Sequence, residues 1–298
     1  MIIKNFIKAA RLRTLPLSIS GIILGGFLAK SVGLFNWVIF FLAIFTTVGF
    51  QVISNFANDY GDGIKGTDTL RNGEERMVSS GKISPKEMKK AIIIAVLLTM
   101  FFTFLLIYES FGKSNFKYSI LFLILGIISV VAAIKYTIGN SPYGYSGFGD
   151  LFVFVFFGLL SVLGSYFLFT KEISFLVFLP AFSIGFLSTA VLNLNNMRDC
   201  KNDIISKKKT IVVKIGVKTA KIYHYILIIL SFVCAVSYVL INFSKATQFI
   251  FLLAYIPLTI HSIYVYNNKE ESKLDPELKK VALSTFLFSI LLGLGQVI

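Results

Sequence analysis

The sequence predicts an all-α polytopic membrane protein, with nine transmembrane helices bundled around a central cavity that opens to the cytoplasmic side. Three observations predict it. The 298-residue chain is 56% hydrophobic and only 15% charged, with a mean hydropathy of +0.79. Apolar runs of the ~20 residues that cross a bilayer as a helix recur along its length. Runs such as "AIIIAVLLTMFFTFLLI" do not alternate in polarity, which excludes the strands of an outer-membrane barrel.

The spans follow in order. The first, 14–34, is led in by the short amphipathic "MIIKNFIKAARLRT", which lacks the small-residue cleavage site of a signal peptide. The second, 36–57, carries the uncharged "IFFLAIFTTVGFQVIS" and ends on "NFANDYGDGIKGTD". Spans three and four, 91–111 and 118–135, are mostly aliphatic and aromatic. A loop rich in glycine and tyrosine, "KYTIGNSPYGYSGFGD", then leads into the Phe-rich fifth span, 150–170. The sixth, 173–196, ends in "LNLNNMRDCKND". The last three, 222–242, 247–267 and 281–297, carry apolar residues of no particular signature. No linker separates two units, so residues 1–298 read as one domain.

The net charge of +14 does not point to nucleic acid, because its placement explains it. With the N-terminus inside, 24 of the 29 Lys and Arg residues fall on the cytoplasmic side. That bias orients a helical membrane protein, and some of these cations can also meet anionic lipid. The C-terminus then lies outside. The long connections, 58–90, 136–149, 197–221 and 268–280, are all inside. So are all the acidic residues except Glu109 and Glu172, which places the chemistry at the cytoplasmic face. Cys200 falls in an inside loop and Cys234 mid-span, so no disulfide is expected.

Two polar stripes carry that chemistry. At helical spacing Asn55, Asp59 and Asp62 share a face, and Asn58 lies one turn before Asp62. Asn195, Asp199 and Asp203 repeat every four residues, with Asn196 beside them. One such aspartate is adequately explained as a solvated helix end. Asparagines at the edge of apolar spans are costly unless they face a cavity or one another. Two facing stripes would bring four carboxylates together, and hard oxygen donors of this kind suit Mg²⁺ bridged to phosphate. Nearby cations, Lys65, Arg71, Arg76, Arg198 and Lys208, complete the chemistry of a diphosphate site. Lys207 and Lys209 read instead as topology charges. Tyr136, Tyr143 and Tyr145 offer faces that can stabilise a cation, although an interfacial aromatic belt would use the same residues. His224 and His261 read as structural.

With these motifs the sequence resembles the UbiA superfamily of intramembrane prenyltransferases, along nearly its whole length. "ARLRTLPLSISGIILG", "NFANDYGDGIKGTD", "YTIGNSPYGYSGFGDLFVFVFFG" and "LNLNNMRDCKNDIISKKKTIVVKIG" carry the likeness. Asn58 and Asp62 fill the first two places of the superfamily's NxxxDxxxD motif. Gly66 stands at the third and Asp68 follows it, a pattern similar to the branch that prenylates 1,4-dihydroxy-2-naphthoate. Asp199 and Asp203 match DxxxD. Lys208 matches a downstream lysine, with Lys207 where a glycine is usual, and Arg76 resembles an arginine of the loop after span two.

The resemblance implies a Mg²⁺-dependent enzyme of the bacterial plasma (inner) membrane. It would transfer a polyprenyl group from polyprenyl diphosphate to 1,4-dihydroxy-2-naphthoate, releasing diphosphate and CO₂ and giving demethylmenaquinone. It implies Asp59, Asp62, Asp68, Asp199 and Asp203 as metal ligands. Asn55, Lys65, Arg76, Asn195, Asn196, Arg198 and Lys208 would bind diphosphate. Asn58, Asp62, Asp199, Tyr136 and Tyr143 would act in the reaction, the tyrosines shielding the allylic cation. It implies no obligatory protein partner. Another aromatic acceptor such as 4-hydroxybenzoate is the alternative, and a secondary transporter the more distant one.

Overall fold

The computed structural model describes residues 2–67, 75–112 and 114–298. Among them there is no strand, and nine helices are long and apolar enough to cross a membrane. A short amphipathic helix, α1 (Ile2–Ala10), leads through a left-handed Arg11 to α2 (Leu15–Ser31). Then come α3 (Trp37–Lys65), α4 (Pro85–Phe111) and α5 (Phe116–Lys135). The fifth span is composite: α6 (Gly149–Val153), a π-helical stretch (Phe154–Leu160) and α7 (Ser161–Thr170). The rest are α8 (Phe178–Ile205), α9 (Ile211–Ile241), α10 (Tyr255–Asn267) behind a 3₁₀ segment, and α11 (Asp275–Val297).

The number of spans is as hydropathy predicts, but the helices overrun their apolar stretches. On the predicted inside, α3 continues to Lys65 and α8 to Ile205, while α4 begins at Pro85 and α11 at Asp275; α9 begins at Ile211 but is broken at Gly216, whose φ is +77°. A helix needs backbone hydrogen bonds, not apolar side chains, so it continues where hydropathy falls. Local signals stop it. Ser84 and Glu87 form a capping box at the start of α4, and Thr210 caps α9. At the end of α3, Gly66 takes φ +67° and its N–H reaches Asp62 and Gly63 carbonyls. A residue with a Cβ is disfavoured in that left-handed cap. Residues 58–65 and 197–205, which hydropathy puts in the inside connections, are therefore helix, in keeping with the helical spacing of the two polar stripes.

Outward faces are apolar: Leu97, Phe101 and Phe104 on α4 and Ile120, Ile124 and Ile127 on α5 are exposed, as lipid-facing residues are. Inside, small residues let helices close up. The Cα of Gly25 lies so near α7 that a Cβ there would stand 2.7 Å from the Val162 carbonyl. This packing sets α2, α7 and α8 around one cavity. The π-helical stretch supplies its wall residues Phe156, Phe157 and Leu160.

Candidate functional site

The cavity is about 430 Å³. One end is polar, lined by Asn58, Asp62, Arg76, Asn195, Asn196, Asp199, Asn202, Asp203 and Lys208. Its deeper wall is largely apolar, with Leu17, Ile22, Phe152, Phe156, Phe157 and Leu160. Tyr136, Tyr143 and Tyr145 also face it, and Arg11, Arg13 and Gln51 line another part.

The two stripes are tied together by the chain just beyond α3. Thr67 donates its N–H to the Asp62 carbonyl at 3.2 Å, and its own carbonyl accepts from Asn202 Nδ2 at 2.9 Å and Ser206 Oγ at 3.3 Å. Across this junction Lys208 Nζ reaches Asp62 Oδ1 at 3.1 Å and Arg76 Nη2 lies 3.6 Å from Oδ2. Asp62 and Arg76 are both buried. Tyr145 donates its hydroxyl to the same carboxylate, while Lys65 and Lys208 each sit 4.6 Å from its ring centroid. Tyr145 is thus central to the site. The sequence shows it as one tyrosine of three, and nothing in its spacing singles it out.

On α8, Arg198 grips both oxygens of Asp199 at 2.7 Å, and its Nη2 also donates to Asn195 Oδ1 at 2.8 Å. Asp203 is buried at the cavity one turn on. Lys207 takes φ +56°, the conformation a glycine would adopt, so the loop keeps that shape without one. The Lys208 N–H then bonds the Asp203 carbonyl at 2.8 Å, and the Lys209 N–H bonds the Tyr145 carbonyl at 2.8 Å.

Tyr136 and Tyr143 stand edge to face at 5.3 Å between centroids, and Tyr143 stacks on Phe152 at 4.0 Å. The Tyr143 hydroxyl is spent on the Ala132 carbonyl at 2.8 Å. Burial pushes both phenols well above their ordinary pKa, and carboxylates add to this at Tyr136. Both remain neutral. Gly144 packs so closely on Tyr136 that an added Cβ would lie 2.7 Å from its carbonyl oxygen.

Several residues expected at the site have partners elsewhere in this structure. Asp59 is not at the cavity: its two oxygens accept the N–H groups of Met77 at 3.0 Å and Val78 at 2.8 Å, so it anchors the loop that carries Arg76. Asn55 is likewise turned away, donating to the Ala10 carbonyl at 2.8 Å and to Thr14 Oγ1 at 3.2 Å, which docks α1 on α3. Lys65 donates to the Thr137 carbonyl at 2.8 Å. Arg198 is committed to carboxylates and is not a cavity wall residue. Asp68 and Arg71 lie outside the described residues. Four carboxylates become three: Asp62, Asp199 and Asp203.

These three, with amide oxygens of Asn58, Asn195, Asn196 and Asn202 nearby, form a donor set of hard oxygens that fits Mg²⁺ rather than zinc. Among the described residues no three His, Cys, Asp or Glu side chains converge on one ion by themselves. Away from the cavity, Cys200 and Cys234 are free. The two histidines do have partners: His224 Nε2 meets His261 Nε2 at 2.8 Å, and His261 Nδ1 meets Glu277 Oε2 at 2.6 Å, all buried.

Known proteins resemble this arrangement. The profile described as "UbiA prenyltransferase family" matches residues 19–290. A Haemophilus influenzae protein named 1,4-dihydroxy-2-naphthoate octaprenyltransferase is 40% identical, the match covering 99% of this chain and 96% of that one. An Escherichia coli protein of the same name is 39% identical over 97% of this chain and 94% of its own. Among solved structures, a UbiA homologue from Archaeoglobus fulgidus bound to GPP and Mg²⁺ superimposes with a TM-score of 0.67 at 14% identity, covering 98% of this chain and 99% of that one. At that identity the likeness is one of fold.

Proposed function

The chain belongs to the UbiA prenyltransferase family, and on that premise we propose that it prenylates 1,4-dihydroxy-2-naphthoate using polyprenyl diphosphate. Residues 1–298 act as one integral membrane domain, in the bacterial plasma membrane with N-terminus and site inside and C-terminus outside. The observation that carries this reading is the two-part cavity: carboxylates and cations at one end, apolar aromatic walls beyond. It suits a substrate with a charged head and a long apolar tail. The relatives named for the naphthoate reaction support the choice of acceptor.

In this mechanism Asp62, Asp199 and Asp203 would hold Mg²⁺, which when bound would supply positive charge that offsets the charge of the diphosphate oxygens. Lys208 and Arg76 bind the same oxygens directly, positioned by Asp62 and, through Asp59, by the loop backbone. As the allylic C–O bond breaks, its electron pair leaves with the diphosphate, and these cations stabilise the developing negative charge. The neutral rings of Tyr136 and Tyr143 shield the allylic cation from water. Arg11 and Arg13 present positive charge to the acceptor carboxylate. The electron-rich ring forms the new C–C bond, and loss of the carboxylate as CO₂ returns its bonding pair to the ring. The product is the prenylated quinol of demethylmenaquinone.

The test is purified protein in detergent with Mg²⁺, geranylgeranyl diphosphate and a panel of acceptors, read by product mass. Prenylated, decarboxylated naphthoquinol is expected. Product with 4-hydroxybenzoate and none with the naphthoate would overturn the acceptor; no product with any acceptor would overturn the enzyme reading.

A further inference from the structure

Behind Asp199 and Arg198 lies Asp275, to which neither the motifs nor the proposed mechanism gives a role. Arg198 is 1% exposed in its side chain, and besides Asp199 and Asn195 it reaches Asp275 through Nη1 at 2.5 Å. Neighbours i and i+1 on a helix point apart, so a bidentate Arg198–Asp199 contact needs the guanidinium drawn back along α8. Asp275, the first residue of α11, accepts from the Nη1 of that guanidinium. The other oxygen of Asp275 faces Arg13 at 3.7 Å. The turn that carries Asp275 is itself pinned, two residues on, by the buried Glu277–His261–His224 chain that joins α11 to α10 and α9.

Resting on the diphosphate–Mg²⁺ reading, we propose that Asp275 is a positioning residue: it shares the Arg198 guanidinium so that Asp199 is held in place yet keeps negative charge for the metal. An arginine paired with Asp199 alone would neutralise the carboxylate that must attract the cation. Divided between two carboxylates, it orients Asp199 without cancelling it. Asp275 itself touches neither substrate nor metal.

The experiment measures Mn²⁺ binding by electron paramagnetic resonance, with inorganic pyrophosphate, on the full-length protein in detergent. Asp275→Asn is expected to weaken Mn²⁺ binding about tenfold, the usual size for loss of a partner behind a metal ligand. Asp275→Glu, which keeps the charge, recovers part of that loss. In the double variant with Arg198→Gln, removing Asp275 adds nothing further, because its effect runs through Arg198. Melting curves show which variants are folded, and the Glu variant carries the test if the Asn variant is not. Unchanged Mn²⁺ binding in Asp275→Asn, or effects that add in the double variant, overturns the proposal. Wild-type protein that binds no Mn²⁺ with pyrophosphate would instead overturn the diphosphate–metal reading itself.

Discussion

Asp62 and Asp199 face the same cavity on different footings. Asp199 is supported by helices: Arg198 from its own helix, and Asp275 at the start of α11. Asp62 also stands on a helix, yet its partners come from loops: Arg76 from 75–80, Tyr145 from the glycine-rich segment and Lys208 from the turn after α8. One half of the site is therefore built in with the bundle, and the other draws its partners from three loops. Loops are where a binding site can afford to move.

The sharpest way to break this contrast is at the carboxylates. Asp62→Asn should lower the transfer rate ~100-fold or more, the cost typical of losing one preorganised electrostatic group. The loss should be at least as large as for Asp199→Asn, because Lys208 and Arg76 lose their shared partner as well. Next comes Tyr145→Phe, which removes the hydroxyl donor to Asp62 but keeps the ring beneath Lys65 and Lys208. It should cost on the order of tenfold, a charge-assisted hydrogen bond of about 1.5 kcal/mol, while Tyr145→Ala should cost more. Asp59→Asn tests whether this residue serves the loop or the metal. One of the Met77 and Val78 N–H groups would lose its acceptor at a cost of about 1–3 kcal/mol. The change should appear as a lower melting temperature and weaker diphosphate binding, with Mn²⁺ binding little altered in the folded fraction. The smallest effect is expected at Lys207→Gly, which relieves the left-handed conformation by about 1 kcal/mol. It should raise the melting temperature slightly and leave the rate unchanged.

Much of the molecule is legible in the sequence because hydropathy and helical spacing are local properties. Nine spans, and the two polar stripes that carry Asp62, Asp199 and Asp203, follow from runs and intervals that can be counted along the chain. What is not legible depends on partners distant in sequence. Asp59 has the same type and spacing as a metal ligand, and only the loop 18 residues later shows that its oxygens are taken. Asn55 is spent on a carbonyl 45 residues away, and Arg198 on a carboxylate 77 residues away. The helical extensions of α3 and α8 were hidden because hydropathy reports where a helix leaves the apolar zone, not where it ends. Gly66 was visible as a departure from a motif. Its left-handed φ adds the physical reason: the third motif position is where α3 stops.

The central claim is that the two halves work as one clamp on the leaving diphosphate. The direct measurement follows carboxyl-labelled 1,4-dihydroxy-2-naphthoate with purified protein, Mg²⁺ and a polyprenyl diphosphate, counting labelled CO₂ against diphosphate released. The account predicts equal amounts of the two, none when Mg²⁺ is chelated, and near-complete loss of both in folded Asp62→Asn and in folded Asp199→Asn alike. Either variant releasing CO₂ and diphosphate at the wild-type rate would contradict it.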